Sequence, residues 1–203
     1  MALTPTESTG EIVFTSTTEI IIQSPMHTAP FAYGSFVLAG NNHMPCVGII
    51  YNVETTSLDP GRKPMALGLS DEELLRLQPQ LASLLRSQAH ALLIGNLNGD
   101  GFQYGYQGPS PSLHSQVRLC PPEQVVAIAR DLGFLRLIFN FRKSPVEELL
   151  FAAGNSILNA VRNVNPQELK SEAVRLGKAL CDLYRDDYDT LRRLMGRLET
   201  WLV

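Results

Sequence analysis

The sequence predicts an α+β chain: a small N-terminal β-barrel of about six strands with one inserted helix, followed by a C-terminal helical hairpin. Three observations predict it. Short β-branched runs separated by Pro, Gly and Asn fill residues 1–120, whereas long helical patterns fill the rest. Charge divides at the same place, with 14 charged residues among the first 120 and 23 among the last 83. The final stretch carries an apolar seam at coiled-coil spacing. The expected division is 1–122 for the barrel and 123–203 for the helices.

The strands are expected in order. Residues 12–22 (IVFTSTTEIII) are rich in Val, Ile, Thr and Phe, which suit a pleated surface, and Ser24-Pro25 ends the run. Residues 33–39 (YGSFVLA), 46–53 (CVGIIYNV) and 91–97 (ALLIGNL) follow as the second, third and fourth strands. Residues 102–107 (FQYGYQ) form the fifth, joined to the fourth by Asn98-Gly99-Asp100-Gly101, a hairpin signal. Residues 116–120 (QVRLC) form the sixth.

One helix interrupts the strands. Ser70 is the expected N-cap, with Asp71, Glu72 and Glu73 in the first turn, where negative charge suits the helix dipole. Leu74, Leu77, Leu81, Leu84 and Leu85 give it one apolar face, and Pro79 should kink or split it.

The second part opens on Pro121-Pro122-Glu123, a helix start, with Gly133 as a stop. Residues 134–141 (FLRLIFNF) fit either a strand or a buried helix end. Ser144-Pro145-x-Glu147 reads as N-cap, N1 and N3 of a helix running to about Asn163, and Asn165-Pro166-Gln167-Glu168 repeats the signal. The last helix is expected to reach Trp201. Leu169, Ala173, Leu176, Leu180 and Leu183 form its seam; the pattern slips at Asp186-Asp187, which rotates the stripe or marks a break. It resumes as Tyr184, Tyr188, Leu191, Leu194 (or Met195), Leu198 and Trp201. The shorter helix packs back on this one. The distal seam, past the end of the shorter helix, is a candidate docking surface: Tyr188, Leu191, Leu194, Leu198 and Trp201, with the basic doublet Arg192-Arg193.

Composition excludes several functions. A net charge of −3 argues against a general nucleic-acid binder, which needs a clustered basic surface. No apolar run approaches the ~18 residues of a membrane span, and the N-terminus has neither the basic nor the apolar region of a secretory signal. Three cysteines far apart (Cys46, Cys120, Cys181) are no disulfide framework, so a reducing, cytoplasmic compartment is expected. The 18% charged fraction, where roughly 25% is usual, suggests that part of the surface is covered by a protein partner.

Chemical motifs are sparse. Asn96-x-Asn98-x-Asp100-Gly101 opens like a calcium loop, but its twelfth position is Gln107 and it holds one carboxylate, so a hairpin turn is expected. His43-x-x-Cys46 supplies two zinc-type ligands without a second pair at ligand spacing among Cys120, His27, His90 and His114. His114-Ser115 are adjacent, which seldom yields a nucleophile and its base, and there is no G-x-S-x-G. No cofactor is expected. Arg142-Lys143 and Asp186-Asp187-Tyr188-Asp189 read as solvated faces, with contact to a partner of opposite charge as the alternative.

Four pieces in order resemble the HAS barrel, the small β-barrel at the N-termini of HerA-type ATPases and rotary ATP synthase catalytic-head subunits. They are Gly34-Ser35-Phe36-Val37; Val47-Gly48-Ile49-Ile50-Tyr51-Asn52-Val53; Ala91-Leu92-Leu93-Ile94-Gly95, then a turn and 102–106; and the Pro-rich run 108–112, leading to Gln116-Val117-Arg118-Leu119-Cys120-Pro121-Pro122. Together they cover roughly residues 8–125. The only Gly-Lys, Gly177-Lys178, is followed by Ala179, so no phosphate-cradling loop is present and the family's ATPase activity does not carry over. The resemblance implies the barrel's role alone: contacts between subunits, as in a homo-oligomer, and docking onto a larger complex such as an ATPase-type assembly. The expected function is thus a non-enzymatic accessory or assembly protein. The alternatives are a nucleic-acid-associated accessory factor of a HerA-type system, and an enzyme whose site forms only in three dimensions.

Overall fold

The computed structural model describes residues 10–24, 31–40, 44–57, 85–99, 101–106, 108–198 and 201, with single positions between 65 and 77. Seven strands are present among the described residues: β1 (Gly10–Thr15), β2 (Glu19–Ser24), β3 (Phe36–Ala39), β4 (Cys46–Ser57), β5 (Leu85–Asn98), β6 (Gly101–Tyr104) and β7 (Gln116–Leu119). Their order is β2-β1-β7-β3-β4-β5-β6, and β2 also pairs with β5. Six antiparallel strands therefore close into a barrel, which removes their free edges. The 14-residue β5 binds β2 along Ser87–Leu92 and β6 along Gly95–Asn98, so β6 stands outside the closed ring.

Two expectations are corrected in the first strands. The run 12–22 is not one strand but the hairpin β1–β2. Ser16 makes the turn: its N–H donates to the Glu19 carbonyl at 2.9 Å, and its Oγ accepts from the Glu19 N–H at 3.1 Å. The β-branched Thr17 and Thr18 hid that turn from a propensity reading. Leu85, assigned above to the inserted helix, begins β5 instead. That helix is described at Glu73, Arg76 and Leu77 only; Ser70 caps it, its Oγ donating to a Glu73 carboxylate oxygen at 2.9 Å while Glu73 N–H donates back at 3.3 Å. Leu74, Pro79, Leu81 and Leu84 lie outside the described residues, and Leu77 is exposed.

Strand β3, the first half of β4 (Cys46–Tyr51) and the middle of β5 (Ala91–Asn96) are buried on both faces, and this explains their unbroken apolar runs. Alternate residues separate into two cores. Val37, Ala39, Ile50, Ala91 and Leu93 point into the barrel with Ile12, Ile20 and Ile22. Phe36, Leu38, Val47, Ile49, Leu92 and Ile94 point out and meet the helices. The lumen is filled by side chains, as in other small barrels.

The helical layer comprises α1 (Pro122–Ala129), a 3-10 turn (Leu132–Phe134), α2 (Leu135–Phe139), α3 (Val146–Val164), α4 (Leu169–Leu183) and α5 (Tyr188–Leu198). The ambiguous segment 134–141 is thus mostly helical. Asp131 caps the turn by accepting from the Gly133 N–H at 2.8 Å. Pro145, not Ser144, is the N-cap of α3, because Ser144 Oγ is drawn away to Tyr33. The last helix is divided: α4 stops at Leu183 and α5 begins at Tyr188, where the seam slips. Thr190 N–H donates to Asp187 Oδ1 at 3.0 Å and starts the new helix.

The barrel's shortage of charge has a physical cause within the chain. One wall, β3–β4–β5, is covered by α1–α3 and carries apolar residues where an uncovered sheet would carry polar ones.

Candidate functional site

Three features of the fold are candidate sites. The first is polar and lies where the barrel meets the helices. Glu19 on β2 and Tyr51 on β4 both face outward, because Ile20, Ile22 and Ile50 take the inward positions. A bulge in β4 between Ile50 and Asn52 leaves Tyr51 opposite no residue of β5. Tyr51 donates its hydroxyl to Glu19 Oε2 at 2.9 Å, and Lys143 Nζ donates to Glu19 Oε1 at 2.6 Å. Phe141 packs edge-on against the Tyr51 ring at 4.7 Å. Beside them Tyr33 and Ser144 hydroxyls share a hydrogen bond of 2.7 Å. An open cleft of about 610 Å³ runs past Tyr33, Tyr51, Asn52, Lys143 and Ser144.

The electrostatics of this cluster are those of a bolt joining two layers. Burial raises the Glu19 carboxyl, but the hydrogen bonds from Lys143 and Tyr51 outweigh it, and the group is held below its ordinary range. Burial, then the neighbouring Glu19, pushes the Tyr51 hydroxyl up, so it stays a donor. Sequence reasoning missed this cluster. It read Lys143 within a solvated or partner-binding doublet, yet its acidic partner, Glu19, lies 124 positions away in the same chain.

A depressed Glu19 has a defined consequence for stability. Its contribution is present above the ordinary value of 4.5 and is lost as pH falls through the lower folded-state value. Lys143→Met is therefore expected to lower the urea midpoint at neutral pH and to converge with the parent as the carboxylate protonates. A constant difference across that range would show that the pair is not the cause.

The second feature is the β1–β2–β7 wall of the barrel, which none of the described helices covers. Here a bulge between Ile12 and Phe14 brings Val13 and Phe14 both to the surface, 39% and 43% exposed. Ile21 lies opposite Phe14 and faces outward, half-buried. His114, at positive φ, reaches Glu11 on the same wall rather than Ser115.

The third feature is the C-terminal seam, and the structure divides its expected docking residues. Tyr188 is 74% exposed and Arg192 is exposed. Leu191 is half-buried. Leu194 is 1% exposed, turned into the core. Arg193 pairs with Glu147 at 3.2 Å, and Trp201 stacks on Phe151 with ring centroids 5.1 Å apart. Leu198 ends α5; its side chain lies outside the described residues. The seam does not overhang, because the break at 184–187 returns it to α3.

His43 and Asp100, from the zinc and calcium patterns, also lie outside the described residues. Cys46 faces the barrel interior and accepts from Asn96 Nδ2 at 3.3 Å, and Asn96–Leu97–Asn98 continue the β5–β6 hairpin. Among the described residues no three His, Cys, Asp or Glu side chains converge to hold a metal. None of the helices described is long and apolar enough to cross a membrane. No protein-family model matches the chain, and no curated protein matches it.

Proposed function

We propose that the protein is a non-enzymatic accessory protein that binds a larger protein complex through its barrel and its C-terminal helices. The observation that carries this reading is the uncovered barrel wall. The lumen is packed with aliphatic side chains and the opposite wall is covered by helices, so surface recognition is what the barrel can offer. On the open wall the β1 bulge turns two successive apolar side chains, Val13 and Phe14, toward solvent, where a regular strand would show one. The polar cluster at the barrel–helix junction is internally paired, which supports a structural role for it.

The order of barrel motifs resembling the HAS barrel suggests an ATPase-type assembly as the partner class. The three sequence-distant cysteines suggest a cytoplasmic setting. Basic side chains are engaged by carboxylates of the same chain at Lys143, Arg175, Arg193 and Arg197, which disfavours the nucleic-acid alternative.

The test is quantitative affinity capture from native lysate with the parent chain, Phe14→Asp and Tyr188→Asp. An ATPase-type complex recovered by the parent and lost with Phe14→Asp is expected. Capture of nothing above a charge-matched control, together with a monodisperse monomer in solution, would overturn the reading.

A further inference from the structure

The seat that receives the C-terminal segment has a specific chemistry. Gly154 on α3 leaves a notch: a Cβ built there would lie 2.5 Å from the Trp201 ring. The indole fills that notch, packs on Phe151, and donates its Nε1–H to Asn155 Oδ1 at 2.6 Å. Four residues earlier Arg197 lies 4.0 Å from the centroid of the Phe151 ring and forks onto both oxygens of Glu148, at 2.6 and 2.9 Å. Arg193 reaches Glu147. The hydrogen bond from Arg197 holds the Glu148 carboxyl below its ordinary range.

The segment's attachment is shallow. Among the described side chains of α5 only Thr190 and Leu194 are buried. Its other links include exposed ion pairs, which salt screens, the contacts of Arg197 and Trp201 with the Phe151 ring, and the Trp201–Asn155 hydrogen bond. The helix is broken from α4 at 184–187, so it can lift without unwinding α4. An element held by so few buried contacts opens below the free energy of global unfolding. The seat itself does not depend on its occupant: Glu147 and Glu148 lie in the first turn of α3, where the helix dipole favours them with or without an arginine.

The geometry points to this notch of α3 as a docking site for a segment carrying an Arg and, four positions on, an aromatic residue, with the chain's own α5–Trp201 segment as a displaceable resident. The occupant's chemistry is read from the residue types now seated there and from the acidic rim. The inference deepens the C-terminal half of the proposed function and rests on no feature of the barrel wall.

Trp201 is the single tryptophan of the chain and reports directly on the seat. In a urea titration of the full chain, Trp201 emission is expected to shift red before far-UV circular dichroism is lost. Added salt and Arg197→Gln should each bring that first transition earlier. A fluorescein-labelled peptide of residues 187–203 should bind the full chain in trans, by anisotropy. It should bind about tenfold tighter to Arg197→Gln, whose resident is weakened. Gly154→Leu, which fills the notch, should abolish binding; where that variant loses its far-UV spectrum, Glu148→Gln serves instead and should weaken the peptide. Coincident fluorescence and circular dichroism transitions, or no peptide binding, or peptide binding indifferent to both seat variants, overturns the proposal. Failure of the Phe14→Asp capture experiment with peptide binding intact would remove the barrel-wall reading alone.

Discussion

Gly34→Ala is expected to destabilise the fold by about 2–5 kcal/mol, the sum of a left-handed backbone penalty and overpacking. Gly34 sits just before β3 at φ +79°, a region that a Cβ disfavours. It also sits against α3. A Cβ there would lie 2.3 Å from the Ala152 Cβ and 2.6 Å from its carbonyl carbon. The helix backbone cannot yield as a flexible side chain would, so α3 must move off the barrel. Its N–H donates to the Ile50 carbonyl at 2.8 Å, which fixes the approach. Gly40→Ala is the control. Gly40 has φ +95°, but the nearest atom to its Cβ position is Pro111 Cβ at 3.6 Å. That variant should show the backbone penalty alone, roughly 1–2 kcal/mol. Urea midpoints of the two decide the matter: equal losses would mean that Gly34 does not set the barrel–helix distance.

Phe134→Ala is expected to cost about 3–5 kcal/mol. Phe134 is fully buried at the meeting point of the two layers. Its ring meets Phe36 of β3 at 5.9 Å and Phe102 of β6 at 6.0 Å, both edge-to-face. Removing it leaves a cavity lined by the barrel on one side and by α1 and α2 on the other. The parent and Phe134→Ala should each lose far-UV signal in one cooperative transition, because one apolar core spans strands and helices. Separate transitions for barrel and helices in the parent, or a loss below about 1 kcal/mol in the variant, would show that this core is not shared.

Much of the barrel was legible in the sequence because short β-branched apolar runs and turn residues act locally. The strands ending in Ala39 and Asn98 and the hairpin at Gly99 stand close to where they were expected. Ser70 caps its helix as read. Errors arose where a local signal had a distant competitor. Ser144 has the residue type of an N-cap, yet Tyr33, 111 positions away, takes its hydroxyl. The segment 134–141 was hard to read because its aromatic residues pack on both sides, Phe134 and Phe141 against the barrel and Phe139 against Tyr184, leaving Arg136 and Asn140 exposed. Lys143 looked solvated because Glu19 is remote in sequence.

The C-terminal seam shows the same division. The slip at Asp186-Asp187 marked the break between α4 and α5, since heptad spacing is a property of the chain itself. Its destination was not marked. Gly154 carries no side chain and so no hydropathy signal, yet the notch it leaves is what receives Trp201.

The sequence by itself determined that strands precede helices, where several of them start, as at Cys46, Gln116 and Pro122, and that the first part is short of charge. Only the tertiary structure decided what covers that uncharged surface: α1–α3 cover the β3–β4–β5 wall, while the β1 bulge leaves Val13 and Phe14 uncovered. The physical reason is that hydrophobicity records whether a side chain leaves water, and carries no information about which partner removes it from water.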